Sequence, residues 1–142
     1  MMRDLRDLAE RLIAEEIRQN KSAGDSPTRA ISLVIERLRP DLMTLMGRMG
    51  FRALLSRALA RASAQAAWLS ALHVNSDGSF EGLSQLELET HVDSEAIAHG
   101  RTVLLAQLLE SLETFIGEAI TLQLVRNIWP KVPLSDLNFG KR

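Results

Sequence analysis

Residues 101–129 place Leu104, Leu105, Leu108, Leu109, Leu112, Phe115, Ile116, Ala119, Ile120, Leu122, Leu124, Val125 and Ile128 at three- and four-residue steps. Side chains spaced in this way line one side of an α-helix. A continuous helix over this stretch would be about 43 Å long, at 1.5 Å per residue. That exceeds the width of a small domain, and the apolar stripe is too broad for a single partner helix, so several other segments must pack around it. The stretch predicts the central member of a helical bundle.

The remaining segments supply the partners. Residues 4–19 carry Leu5, Leu8, Leu12, Ile13 and Ile17 on one helical face, with Arg11, Glu15 and Arg18 turned away. Residues 20–25 break that pattern with Ser22, Gly24 and Asp25, and Ser26 before Pro27 is a helix start, since proline at the first helical position loses no needed N–H. The second helix then points Ile31, Val34, Ile35 and Leu38 inward until Pro40, which disfavours helical backbone at Arg39 and is expected to end or kink it. A short segment at 41–46 follows, Gly47 and Gly50 bracket a turn, and Phe51 opens a periodic run through Leu54, Leu55, Ala58, Leu59, Ala62, Ala66, Leu69 and Leu72. The alanines of this run allow two helix axes to approach closely, so it is expected to lie flush on the central helix.

Residues 73–82 differ in kind. Val74 and Phe80 flank an Asp77-Gly78 pair, a strong short hairpin signal. Leu83, Leu86 and Leu88 make a short element of undefined type, after which Asp93 or Ser94 is expected to cap the last helical region. Gly100 is expected to bend that helix or mark its beginning, and Gly117, at a cost of roughly 1 kcal/mol relative to alanine, is expected to allow close helix contact. Trp129 and Pro130 end the helix. Residues 130–142 then form a docking tail that keeps Val132, Leu134, Leu137 and Phe139. The fold class is therefore all-α, a single helical domain over 1–142 built round a long C-terminal helix, with one small β-hairpin near 73–82.

At 142 residues such a chain can bury a core without metal or disulfide staples, and it contains no cysteine, which removes disulfides and thiolate zinc sites and fits a reducing, cytoplasmic setting. The N-terminus, with Asp4, Asp7 and Glu10, does not read as a secretory leader, and no apolar run is long enough for a membrane span. Arginine greatly outnumbers lysine, and alanine and leucine are plentiful, as a GC-rich bacterial genome would produce. The net charge of −1 hides an asymmetry: residues 1–61 hold 12 basic and 8 acidic residues (+4), and residues 62–142 hold 5 and 10 (−5). The two halves are expected to attract each other, within a chain or between copies.

Few constellations suggest chemistry. His91, Glu95 and His99 are four apart, but a helix beginning at Asp93 leaves His91 outside and breaks the stack, so no metal site is expected. An overlay of residues 73–84 on a calcium loop fails at its first and twelfth positions, His73 and Ser84. Ser56, Ser63 and Ser70, seven apart, read as close helix packing, and Glu110, Glu113 and Glu118 as a solvated stripe. With no nucleophile set, metal cluster or phosphate loop, the chain reads as a non-enzyme that needs no cofactor.

Two partner classes remain. The favoured one is protein, most directly a second copy, held by Phe115, Trp129, Val132, Leu134, Leu137 and Phe139, because aromatic and aliphatic anchors of this kind dominate interfaces. The alternative is a helix-turn-helix-like DNA-binding regulator using segment 37–61, where six arginines accompany one acidic residue, Asp41. In that reading Arg48, Arg52, Arg57 and Arg61 contact nucleic acid. Against it, Arg52 and Arg57 point to different sides of an ideal helix, and the supposed recognition helix runs on into an apolar alanine stripe.

Overall fold

A computed structural model of the chain describes residues 2–19, 29–75, 80–81 and 94–133. Among these residues are four α-helices: α1 (Met2–Gln19), α2 (Arg29–Ser63), α3 (Ser94–Ile116) and α4 (Glu118–Ile128). A 3₁₀ turn at Ala67–Ala71 follows α2, and the strands β1 (His73–Val74) and β2 (Phe80–Glu81) pair antiparallel with His73 opposite Glu81 and Val74 opposite Phe80. The fold is all-α, with the expected hairpin as its one small sheet among the described residues. The tip of that hairpin, Asp77 and Gly78, lies outside them, as do the expected start at Ser26 and Pro27 and the element near Leu86. No described helix is long and apolar enough to cross a membrane.

The core forms where the periodic residues placed it. Helix α1 buries Leu5, Leu8, Leu12 and Ile13, and α2 buries Ile31, Val34, Ile35, Leu38, Phe51, Leu55 and Ala58. Both pack on α3, in which every residue from position 103 to 109 is buried. A helix covered on all sides is the physical meaning of its broad apolar stripe. Each leucine so enclosed contributes roughly 1.5–3 kcal/mol relative to leaving it in water.

The central helix is not continuous, however. Gly117 adopts φ 92°, ψ 159° and divides the apolar stretch into α3 and α4. Gly47 does the same inside α2, with φ 77°, ψ 171°. Both lie in a backbone region that is essentially restricted to glycine, because a Cβ would meet its own backbone there. Nothing lies within 4 Å of where a Cβ on Gly117 would sit, so this glycine serves backbone direction and not close helix contact. The glycine that does serve close contact is Gly100. It neither bends nor begins its helix; a Cβ there would fall 2.4 Å from Trp68 Nε1, so the indole lies directly on the backbone of α3. Trp68 Nε1–H donates to the carbonyl of Ala96 at 2.9 Å, which fixes the 3₁₀ turn to the first turns of α3.

Other boundaries also move. Helix α2 runs through Pro40, and where three helical pieces were expected there is one element broken only at Gly47. Leu38 and Leu42, both fully buried, hold the helix on either side of the exposed proline. Arg39 adds paired hydrogen bonds to Glu36 at 3.0 and 2.8 Å and stacks its guanidinium 5.3 Å from the centre of the Phe51 ring. At its far end α2 stops at Ser63, whose hydroxyl donates to the Leu59 carbonyl. Ser56 and Ser70 are exposed, so the seven-residue serine spacing does not mark a packing seam.

Candidate functional site

The two glycine breaks are neighbours. Met46 and Gly50, on either side of Gly47, line the same cavity as Ser111 and Phe115 just before Gly117, and Leu45 faces Ile120 and Leu124 across a second, shallower groove. At the opposite end Trp68, which follows α2, rests on Gly100 of α3. The second half of α2 therefore runs antiparallel to α3 and the two helices change direction at the same level.

Every large apolar side chain exposed among the described residues lies within three residues of one of the two breaks: Met49 at 83%, Phe115 at 64%, Ile120 at 49% and Leu45 at 48%. The cause is local. Phe115 and Ile120 belong to the apolar stripe by spacing, but they flank the turn at Gly117, where one helix ends and the next changes direction, and Leu45 and Met49 flank the break at Gly47 in the same way.

The larger cavity has a volume of about 470 Å³. Its walls change character along their length. Met46, Gly50 and Phe115 form the end at the breaks, and Arg57, Arg61 and Ser111 lie further along the two helices. Arg57 and Arg61 are exposed and have no side-chain partner among the described residues. Ser111 is buried and its hydroxyl has no hydrogen-bond partner among the described residues; Gln107, one turn earlier, likewise leaves its side-chain oxygen unmatched among them.

The other arginines of the basic segment fall elsewhere. Arg48 and Arg52 are exposed on the opposite flank of α2, with Ala53, Ser56 and Ala60 between the two pairs and with Phe51, Leu55 and Ala58 buried beneath. At about 100° per residue Arg52 and Arg57 stand roughly 140° apart, so the four do not form one continuous basic face. Arg37 instead pairs with Glu16, Arg18 with Glu15, and Arg39 with Glu36. These contacts lie within the basic half and do not join it to the acidic one.

Trp129 and Val132 are covered by the chain itself. Trp129 is 1% exposed and its indole N–H donates to Glu16 Oε2 at 2.9 Å, while Val132 is buried and the Pro133 carbonyl accepts from Arg11 Nη1 at 2.7 Å. The tail thus folds back on α1 as far as Pro133, and two of the expected interface anchors are core residues. Leu134, Leu137 and Phe139 lie outside the described residues, which leaves Phe115 as the expected anchor that is exposed. Leu45, Met49, Ile120 and Ser111 were missed. Their available signal was a glycine inside each apolar run.

Among the titratable groups, burial pushes the Glu113 carboxyl above its ordinary value, and the nearby Glu118 and Glu110 charges add to the effect. The three glutamates are half-buried and crowd one another, so they are not a freely solvated stripe. Hydrogen bonds from Arg18 and Gln19 hold the Glu15 carboxyl below its ordinary value. Glu95 and His99 are exposed on α3, His91 lies outside the described residues, and no group of three or more His, Asp or Glu among the described residues could hold a metal ion. Comparison of the chain with protein-family models, with curated proteins and with solved structures finds no match, so the corner at Gly47 and Gly117 is read from its own chemistry.

Proposed function

We propose that this chain is a non-enzymatic helical interaction module that works through protein contacts, with a second copy of itself as partner. The contact is made by the rim of Leu45, Met49, Phe115 and Ile120. The observation that carries this reading is that all four exposed large apolar side chains of the described residues flank Gly47 or Gly117, two breaks that are neighbours in the fold. Scattered singly they would need no explanation; gathered on one patch they mark a surface that is covered in use. A two-fold contact would present the same patch twice. Full burial of such a side chain yields about 1.5–3 kcal/mol. Eight of them across a symmetric contact, each already partly covered and so contributing roughly half to four-fifths of that, still reach the size of the ~4–15 kcal/mol that association costs in lost freedom. Duplex DNA is less well supported, because the exposed arginines fall on two separated flanks.

Sedimentation of the full chain at tens of micromolar tests the reading. The expected result is a dimer. Leu45→Asp combined with Phe115→Asp changes only exposed side chains and should give a monomer with the same helical circular dichroism. A wild-type monomer would overturn the reading, and a dimer that survives the double substitution would remove the rim from it.

A further inference from the structure

We propose that the cavity between the second half of α2 and α3 binds an amphipathic carboxylate, a medium-chain alkyl tail ending in a single carboxylate group. This goes beyond the association reading and does not rest on it; the two share only Phe115, whose ring borders the cavity from the rim.

Three observations converge on that chemistry. Arg57 and Arg61 stand one turn apart on the cavity flank of α2, neither has a side-chain partner among the described residues, and the lining contains no carboxylate. Two unpaired guanidinium groups beside a partly enclosed space favour an anion, and their planar forks fit a carboxylate by paired hydrogen bonds. At the other end Met46, Leu54 and Phe115 offer nothing to a charge but do offer apolar surface to a tail. Gly50 and Arg61 are separated by about 16 Å along the helix axis, so the polarity changes over a distance that suits a molecule charged at one end only.

The third observation is Ser111. Hydroxyl groups elsewhere on these helices satisfy themselves by donating to the carbonyl four residues earlier: Thr44 to Pro40, Ser63 to Leu59, Thr114 to Glu110 and Thr121 to Gly117. Ser111, on the cavity wall, makes no hydrogen bond among the described residues although it is buried. An unmatched buried hydroxyl is unfavourable, and a carboxylate oxygen drawn in between it and the arginines would accept a hydrogen bond from it. The volume of about 470 Å³ falls within the roughly 300–1,000 Å³ usual for sites that enclose small organic molecules. An inorganic anion would use the arginines and leave the apolar end in water, and an uncharged hydrocarbon would leave the arginines idle.

Isothermal titration calorimetry on the full chain tests this with three probes: decanoate, decyltrimethylammonium and acetate. Decanoate is expected to bind at one site per chain, at least tenfold more tightly than either of the others, since one probe has the tail with the wrong charge and the other the charge with no tail. Arg57→Gln with Arg61→Gln, both at exposed positions, should weaken decanoate at least tenfold without changing circular dichroism. Ala53→Phe, which places a ring over the cavity, should abolish binding. Equal binding of decanoate and decyltrimethylammonium, undiminished decanoate binding in the arginine variant, or no decanoate binding to the wild-type chain would each overturn the proposal. Sedimentation of the same samples keeps this outcome separate from that of the association reading, because Leu45 and Ile120 do not line the cavity.

Discussion

Glu16 is where three elements meet. Its carboxylate is buried, pairs with Arg37 of α2 and accepts from the Trp129 indole, 113 residues further along the chain. A buried charge is tolerable only when its lone pairs are matched, so the two donors are the condition for placing a glutamate there. Trp129→Phe removes the donor and also shrinks a fully buried ring, so it should lower stability in urea unfolding by at least about 1.5–3 kcal/mol, the usual worth of a hydrogen bond to a charged group, with the lost volume adding to it. An unchanged unfolding midpoint would mean the indole N–H contributes nothing. Glu113 makes the opposite case. Its carboxyl is harder to ionise in the folded chain than in the unfolded one, since burial and the Glu118 and Glu110 charges raise it. The folded state therefore binds the extra proton, and stability falls as pH rises from the ordinary glutamate value through the raised one. Glu113→Gln should make the chain more stable at neutral pH and flatten that part of the pH profile, as thermal unfolding between pH 4 and pH 7 would show. Glu15 has the reverse sign: Arg18 and Gln19 favour its charged form, so its contribution is present above the unfolded value and is lost as pH falls through the lowered one.

At the scale of elements the paired breaks define the fold. A glycine inside a regular helix is a weak point that alanine repairs by about 1 kcal/mol. At Gly47 and Gly117 the sign reverses, because the backbone conformations there exclude a Cβ, and Gly117→Ala or Gly47→Ala should each destabilise by about 1–3 kcal/mol. A stabilised Gly117→Ala variant would mean the helix runs straight through. This is also where the sequence stops being legible. The apolar spacing of residues 101–129 locates a helical face, but a glycine costs the same local propensity whether it sits in the ladder or breaks it, so one continuous helix and two helices share one pattern. Pro40 fails in the other direction, since a local preference to stop is overridden by the buried Leu38 and Leu42 on both sides. The reason for Gly100 resides in Trp68, 32 residues away, beyond the reach of any local pattern. The parts read correctly, among them the faces of α1 and α2, the hairpin and the helix end at Trp129, rest on periodicity or short-range turn chemistry alone.

At the scale of the whole molecule, the breadth of the apolar stripe is legible in the sequence, and the place where it stays uncovered is not. The stripe is covered on all sides along residues 103–109, the returning tail packs Trp129 and Val132 against α1, and what the described residues leave uncovered flanks the two breaks. The central claim is that a second copy covers this corner. Because the chain lacks cysteine, a single Met49→Cys substitution carrying a nitroxide label places one spin per copy on the rim, and double electron–electron resonance then reports the distance between copies. A narrow short-distance peak from Met49→Cys, with a longer distance from the same label on Ser70→Cys in the 3₁₀ turn that follows α2, is the predicted result. Absence of any dipolar signal from the rim label, or a shorter distance from the Ser70 label, would contradict it.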